Sequence, residues 1–307
     1  MLPLVGVSGY VLLAFRRLNA QRMRRCRQLL RLIGVFPIRK HYYEPAFDIT
    51  VNLTGRQRER RLPGLNFRHT EQVSFLQKLA FVGEFTEFVE DQRLGKGEAN
   101  FKISNSSFGS GDAEYLYGFL RHVKPKTVVE VGCGQSTKII RAALSANAAE
   151  EGHRAQHICI EPYQQLWLDG VKDIQLIRST IEEVEETLFA NLGEGDLLFI
   201  DSSHMVRPQG DVLVELLEIV PALAAGVFVH VHDIFSPRDY PSEWVVEKVL
   251  FWNEQYLLEA LLSSSDKFEI IGAINYLKHT AYAELRIVCP FLTSEREPGS
   301  FYFRKIA

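Results

Sequence analysis

From Lys126 onward, short apolar runs alternate with longer stretches that have helical spacing of their apolar residues. The runs are "TVVEV", "HICIE", "IQLI", "DLLFID" and "GVFVHVHD". Runs of this length predict buried strands, and the single helices between them predict right-handed β-α-β units. Such units form a parallel sheet with helices on both faces. The pattern therefore predicts a doubly wound, Rossmann-like α/β domain.

Two more strands are predicted near the C-terminus, in "KFEIIGAIN" and "SFYFRKI", after one long helix, "SEWVVEKVLFWNEQYLLEALLSS". We expect no helix between these two strands, so that the last strand enters the sheet as a hairpin partner of the one before it. The prediction is a seven-stranded, mostly parallel sheet with an antiparallel C-terminal strand.

Residues 1–100 do not follow this rhythm, and we interpret them as a basic arm and an α-helical cap on a domain of residues 101–307. Residues 1–43 contain no Asp or Glu, whereas they carry eight arginines and one lysine. The apolar run "LPLVGVSGYVLLAF" is shorter than the roughly 20 residues of a membrane-spanning helix. Its positive charges follow it, whereas those of a secretory signal precede the apolar region.

We interpret the arm as a basic amphipathic segment that packs on the domain or on a protein partner. An anionic membrane surface is the less favoured alternative. The composition, with 46% apolar and 24% charged residues, is that of an ordinary globular protein. Four scattered cysteines without a C-x-x-C pair are typical of reduced thiols, so we predict a cytoplasmic location. The sequence leaves the oligomeric state open, a homo-oligomer included.

Candidate chemistry begins in "VVEVGCGQST", where Glu130 ends the first strand and Gly132 and Gly134 lie in the turn before a helix. Glycines in such a turn let the backbone approach a ligand closely. Thr137 replaces the third glycine of the dinucleotide motif, which disfavours a nicotinamide or flavin cofactor. The next strand, "HICIEP", ends on Glu161, a position suited to binding both hydroxyls of a ribose. The alternative is an ordinary strand-turn-helix without a ligand.

Together, Glu130, Gly132, Gly134 and Glu161 resemble the class I S-adenosylmethionine-dependent methyltransferases, and the resemblance extends from about residue 105 to the C-terminus. It implies that the glycine turn holds the methionine part of the cofactor and that Glu161 holds the ribose. It also implies that the loop after the third strand, residues 178–181 with Thr180, lies along the adenine. Asp201, at the end of the fourth strand, is counted among the cofactor-binding residues.

Two aspartates end neighbouring strands, Asp201 in "LLFID" and Asp233 in "VHVHD". Adjacent parallel strands are about 4.8 Å apart, so carboxylates at their ends can share one cation, for which Mg²⁺ is the best match. His232 could add a ligand, although an imidazole would favour a transition metal. In the alternative interpretation, both aspartates only cap the turns that follow.

His204 lies three residues after Asp201, and an imidazole there is suited to accept a proton from a substrate hydroxyl. The segments "DSSH" and "HVHD" resemble the metal-dependent O-methyltransferases of the catechol and macrolide-sugar types. In the macrolide-sugar type, the D-x-x-H unit supplies a metal ligand and a base. The catechol type has Asn where this chain has Ile234. In the alternative interpretation, His204 is a structural residue of the loop.

The resulting prediction is a Mg²⁺-assisted O-methyltransferase acting on a small hydroxylated molecule, such as a sugar or a polyketide-like metabolite, with His204 as general base. One alternative is a metal-independent methyltransferase acting on another nucleophile. Another is an S-adenosylmethionine-binding protein without turnover. No nucleic acid is expected as a partner, because the domain outside the arm is acidic and the fourth strand is not followed by an Asn/Asp-Pro-Pro-aromatic motif.

Overall fold

The computed structural model describes residues 1–17, 23–35, 37–38, 59–94, 100–263 and 265–307. Arg22, Arg39 and Lys40 of the predicted basic arm lie outside these residues. Contacts divide the chain into two compact units, residues 1–57 with 242–251 and residues 58–241 with 252–307. The first unit contains helices α1 (Leu2–Arg17) and α2 (Arg24–Leu32) and a π-helical turn, Glu243–Glu247. A domain boundary at residue 100 stays a prediction.

The second unit is built on one sheet. Its strands are β1 (Thr127–Val131), β2 (Gln156–Ile160), β3 (Gln175–Ile177), β4 (Leu197–Ile200), β5 (Phe228–Val231), β6 (Phe268–Ala273) and β7 (Phe301–Lys305). They lie in the order β3-β2-β1-β4-β5-β7-β6. β7 runs antiparallel to both β5 and β6, whereas the pairs from β3 to β5 are parallel. The predicted seven-stranded sheet with its antiparallel C-terminal strand is confirmed.

Helices flank this sheet. They are α3 (His69–Leu76), α4 (Val82–Leu94), α5 (Asp112–Val123), α6 (Gln135–Glu151), α7 (Leu166–Asp169), α8 (Thr187–Ala190), α9 (Asp211–Leu213), α10 (Val220–Ala222), α11 (Glu254–Ser263), α12 (Ile274–Thr280) and α13 (Tyr282–Val288). A π-helical segment, Val214–Ile219, joins α9 to α10. No helix of the described ranges is both long enough and apolar enough to cross a membrane.

The sheet is buried on both faces, as the continuous apolar runs predict. In β4, Leu197 and Phe199 belong to one core cluster, whereas Leu198 and Ile200 belong to another. Side chains alternate between the two faces of a strand, so each cluster covers one face. Helices α3 and α4 contribute Leu76, Phe85 and Val89 to the first cluster. Helices α3 and α4 therefore pack on the sheet, while a helical cap over residues 1–100 stays a prediction.

Two predicted elements near the C-terminus are wrong. Helices α12 and α13 lie between β6 and β7, so β7 is not a simple hairpin partner. Their buried residues Leu277, Leu285 and Val288 belong to the core, which explains why this connection is helical. The long helix before β6 is also interrupted. Asn253 is bound instead to the loop after β4, through hydrogen bonds with His204 and Val206, and α11 begins only at Glu254.

Candidate active site

The turn between β1 and α6 lies directly against the end of β4. Asp201 donates its backbone N–H to the carbonyl of Val131 over 2.9 Å, and Gly132 donates to Ile160 over 3.0 Å. Gly132 has φ of 78°, and a Cβ there would lie 1.9 Å from the carbonyl oxygen of Asp201. Only glycine permits this contact, which brings the turn and Asp201 to one edge of the sheet.

We expect Gly132→Ala to destabilise the protein by about 2 kcal/mol or more, because a side chain at positive φ costs roughly 1–2 kcal/mol before any clash is counted. Gly134→Ala is the matched control, since Gly134 has φ of −167° and open space around its Cβ position. Urea denaturation of both variants measures the difference. Equal stabilities would contradict the assigned contact between Gly132 and Asp201.

The turn, the end of β2 and Asp201 line an open cavity of about 340 Å³. Its lining residues are Ser107, Phe108, Gly132, Cys133, Gly134, Gln135, Ser136, Glu161, Gln165, Trp167 and Asp201. Four of the predicted cofactor residues, Gly132, Gly134, Glu161 and Asp201, therefore meet at one cavity. Its volume lies within the range of small-molecule sites.

Glu161 is oriented by the backbone on either side of it. Cys133 N–H donates to its Oε2 over 3.1 Å, and Tyr163 N–H donates to its Oε1 over 2.9 Å. An ionised carboxylate accepts about four hydrogen bonds, so two acceptor positions remain for a ligand. The sequence analysis did not anticipate Trp167, whose indole N–H donates to Gln165 over 2.9 Å. An aromatic residue shortly after the acidic end of β2 is the signal that could have indicated it.

Glu130 and Thr180 lie elsewhere. Glu130 is fully buried beneath the turn, where it accepts hydrogen bonds from the hydroxyls of Ser136 (2.7 Å) and Thr137 (3.0 Å) at the start of α6. Its second oxygen lies 2.9 Å from His157 Nε2. Thr180 is exposed and precedes a 3₁₀ turn, Ile181–Glu183. Neither residue lines the cavity, so their direct contact with a cofactor stays a prediction.

The register of the sheet brings the predicted metal residues together. Ile200 of β4 is paired with Val231 of β5, and His232 donates its N–H to the carbonyl of Ile200 over 2.9 Å. Asp201, His232 and Asp233 therefore follow directly from two neighbouring strands. His232 Nδ1 lies 3.5 Å from Asp201 Oδ1 and 3.5 Å from Asp233 Oδ1.

His204 faces the same two carboxylates. Its Nε2 lies 3.4 Å from Asp201 Oδ1 and 3.6 Å from Asp233 Oδ2. Two imidazoles thus lie beside one pair of aspartates. His204 and Asp233 both have left-handed backbone, with φ of 60° and 56°. Non-glycine residues adopt this conformation at a cost and are often found in it at functional sites.

Each imidazole is backed by a buried acid that the sequence analysis did not identify. Glu254, at the start of α11, places Oε2 2.9 Å from His204 Nδ1 and is 1% exposed. Asp112, at the start of α5, places Oδ2 3.9 Å from His232 Nε2, which is beyond direct hydrogen-bonding distance. Glu254 is 50 residues from His204 in the sequence, so only the tertiary structure shows the pair.

The loop after β4 is held in place residue by residue. Ser202 donates its hydroxyl to Glu215 over 2.8 Å, and Ser203 donates its hydroxyl to Asp211 over 2.6 Å. Trp252 packs on the His204 ring at a centroid distance of 4.2 Å. These contacts give the "DSSH" segment one defined conformation, with His204 directed at the aspartates.

Burial and charge act against each other at this cluster. Burial opposes the charged form of Asp201, but the charge of His232 and a hydrogen bond from His204 outweigh it and hold the pKa of Asp201 well below its usual range. Burial lowers the pKa of His204, but Asp201 and Glu254 raise it by more than burial lowers it. The pKa of His204 therefore lies well above its ordinary value. The pKa of His232 is raised in the same way by Asp233 and Asp201.

The donor set fits a divalent cation. The ligand atoms of Asp201, His204 and Asp233 all lie within 4.8 Å of one another. The carboxylate oxygens are the ligands that Mg²⁺ prefers. The imidazole nitrogen would favour a transition metal. The structure thus groups His204 with the aspartates, while His232 lies close to both carboxylates as well.

Residues 129–234 match the family model described as "Methyltransferase domain". This segment contains Glu130, the glycine turn, Glu161 and the whole aspartate and histidine cluster up to Asp233. No curated protein matches the chain.

Several solved structures are distantly similar. The one described as "cmcI-D160 Mg-SAM" is 15% identical, covers 91% of this chain and 95% of that chain, and has a TM-score of 0.39. The one described as "cmcI-N160 SAH" is 16% identical, covers 64% of this chain and 76% of that chain, and has a TM-score of 0.37. The one described as "Structure of an antibiotic related Methyltransferase" is 13% identical, covers 66% of this chain and 96% of that chain, and has a TM-score of 0.28. These values are too low to indicate an activity for this chain.

Proposed function

We propose that this chain, which has the fold of a class I S-adenosylmethionine-dependent methyltransferase and a methyltransferase domain at residues 129–234, methylates a hydroxyl group of a small molecule with the help of a divalent cation. One observation carries the proposal. Asp201 lines the cavity beside the glycine turn and also contacts both imidazoles of the cluster. A cofactor in the cavity would therefore lie next to groups that can bind and deprotonate a hydroxyl.

The residues of the cavity suit the cofactor. Gly132 and Gly134 both line the cavity, and the open space at the Cβ position of Gly134 leaves its backbone accessible for the methionine part. Glu161 retains acceptor positions for the ribose hydroxyls. S-adenosylmethionine supplies a methyl group bound to a positively charged sulfur. Trp167, whose ring carries the Lys138 ammonium 4.7 Å from its centroid, lines the same cavity. Glu130 acts indirectly in this proposal, because it fixes the start of α6 through Ser136 and Thr137.

Asp201 and Asp233 are the proposed cation ligands, with His232 Nδ1 as the third. A divalent cation held there, Mg²⁺ in the simplest case, would neutralise the two carboxylates and lower the pKa of both a nearby hydroxyl and His204. Asp112 lies too far from His232 Nε2, at 3.9 Å, to hold the ring by a direct hydrogen bond, so it contributes only its negative charge.

His204 is the proposed general base. Glu254 accepts a hydrogen bond from the protonated Nδ1 of His204. Nε2 is then free to receive the proton of the acceptor hydroxyl. His204 accepts this proton as the hydroxyl oxygen bonds to the methyl carbon and the carbon–sulfur bond breaks. The competing role is that of third cation ligand, since His204 Nε2 is grouped with the two aspartates.

We expect S-adenosylmethionine to bind the wild-type protein in the micromolar range, and Glu161→Gln to weaken this binding roughly tenfold or more, because hydrogen bonds to a charged group contribute about 1.5–3 kcal/mol. Glu284→Gln, at an exposed position of α13 that does not line the cavity, is the matched control and should change the affinity by less than about threefold. Isothermal titration calorimetry measures all three proteins. No cofactor binding by the wild type would refute the methyltransferase proposal.

We propose that the methyl acceptor is a sugar or a polyketide-like metabolite and not a nucleic acid. We also propose that the protein is cytoplasmic. Transfer of a labelled methyl group to a panel of hydroxylated small molecules tests this directly. Turnover that survives complete chelation would favour a metal-independent enzyme. Cofactor binding without transfer to any acceptor would favour a binding protein.

A further inference from the structure

Helix α1 presents apolar side chains to solvent on every side. Leu2, Leu4, Val5, Val7, Tyr10 and Val11 are between 62% and 89% exposed. At about 100° per residue, these six positions are distributed around the whole helix. A helix that is apolar all round is typical of a core or a membrane, whereas a surface helix has one apolar stripe.

Helix α2 is amphipathic instead. Cys26, Leu29, Leu30 and Ile33 recur at the spacing i, i+3, i+4 and i+7, which places them on one face. Leu29 is 60% and Ile33 is 62% exposed, so this face is open to solvent. The opposite side carries Arg24, Arg27 and Arg31 at the spacing i, i+3 and i+7. An apolar face beside an arginine-rich face is typical of helices that lie in the interface of a bilayer.

The charges of this segment have one sign. Arg17, Arg24, Arg25 and Arg31 are all exposed, and residues 1–43 contain no acidic residue that could pair with them. Their complement is an anionic surface. A groove on a protein would cover one face of α1, whereas lipid can surround all of its apolar positions. At 1.5 Å per residue, the 16 residues of α1 span about 24 Å, less than the roughly 30 Å hydrocarbon core.

We propose that α1 and α2 bind this protein to the surface of an anionic lipid bilayer. The apolar side chains of α1 enter the hydrocarbon without crossing it. Helix α2 lies at the interface with Leu29 and Ile33 towards the lipid and its arginines on the phosphate headgroups. This inference does not depend on the proposed function, because none of these residues belongs to the cavity or to the aspartate and histidine cluster.

The chain carries a suitable position for a probe. Cys26 is exposed on the apolar face of α2, whereas Cys133, Cys159 and Cys289 are buried. An NBD fluorophore attached to Cys26 of the full chain should shift its emission to shorter wavelength as this face enters lipid. Titration with phosphatidylcholine vesicles, with and without 50% phosphatidylglycerol, gives the apparent affinities.

We expect binding to the anionic vesicles to be at least tenfold tighter than to neutral vesicles and to weaken as salt is raised. Replacing Arg24, Arg25 and Arg31 with glutamine should weaken it roughly 100-fold, since each basic residue near the surface contributes about fivefold. The triple change L4D, V7D and V11D should abolish the spectral shift. Arg154→Gln and Ile287→Asp, at exposed positions of the other unit, are the matched controls and should bind as wild type.

Equal affinity for neutral and anionic vesicles would overturn the proposal. Absence of vesicle binding, together with self-association that the α1 changes abolish, would overturn it in favour of a second copy of this chain. Cofactor binding should be unchanged in all of these variants, so a failure here is distinguishable from a failure of the methyltransferase proposal.

Discussion

His204→Ala should lower the turnover number by roughly 10²–10⁴, the usual contribution of a positioned general base. The variant should still bind S-adenosylmethionine and the cation within about twofold of wild type, because Glu161 and the two aspartates remain. This separation of chemistry from binding follows from the geometry. His204 is tied through Nδ1 to Glu254 and directs only Nε2 towards the carboxylates.

His232→Ala is the comparison that distinguishes the two imidazoles. If His232 is the third ligand, this change should weaken cation binding tenfold or more, and excess cation should restore part of the turnover. Calorimetric titration of the cation, beside steady-state kinetics, measures both properties for both variants. The reverse result, with cation binding lost in His204→Ala and retained in His232→Ala, would make His204 a ligand and end its assignment as the base.

Glu254→Gln extends the same experiment to the buried acid. The amide can still accept a hydrogen bond from Nδ1, so the ring should stay oriented, but its negative charge is lost. Turnover should fall less than in His204→Ala, while cation binding stays unchanged. A purely structural role for Glu254 would instead appear as lower stability with wild-type turnover per folded molecule.

The topology of the sheet and the position of the aspartates were predictable because both depend on local patterns. Buried parallel strands appear as continuous apolar runs, and the polar residue that ends such a run must lie at the edge of the sheet. Asp201 and Asp233 therefore became neighbours as soon as β4 and β5 were paired. The match of residues 129–234 to the methyltransferase-domain model agrees with the resemblance that Glu130, the glycine turn and Glu161 indicated.

Residues that act through a long-range contact were not predictable. The spacing of apolar residues predicts one continuous helix through Glu254. In the structure α11 begins at Glu254, and this break places its side chain against His204. Glu130 shows the opposite problem. It lies near the C-terminal end of β1, where a carboxylate could contact a ligand. Because side chains alternate along β1, however, that of Glu130 lies beneath the turn and accepts hydrogen bonds from Ser136 and Thr137.

Asp201→Asn should abolish cation binding and lower turnover at least about 10³-fold, because the change removes a proposed cation ligand that also lines the cavity. Chelation of the wild-type protein should have the same effect on turnover, reversed by added Mg²⁺. Asp169→Asn is the matched control, an exposed aspartate on α7 that pairs with Arg178 and lies outside the cluster. It should bind the cation as wild type does.

Stability gives a second measurement that does not require the acceptor to be known. A cation present at 100 times its Kd that binds only the folded state stabilises that state by about 2.7 kcal/mol, which for a chain of this size raises Tm by roughly 4 °C. Wild type and Asp169→Asn should show this rise, and Asp201→Asn should not. If Asp201→Asn shows the same rise, the cation binds elsewhere. If no protein shows it and turnover persists under chelation, Asp201 and Asp233 shape the pocket of a metal-independent enzyme.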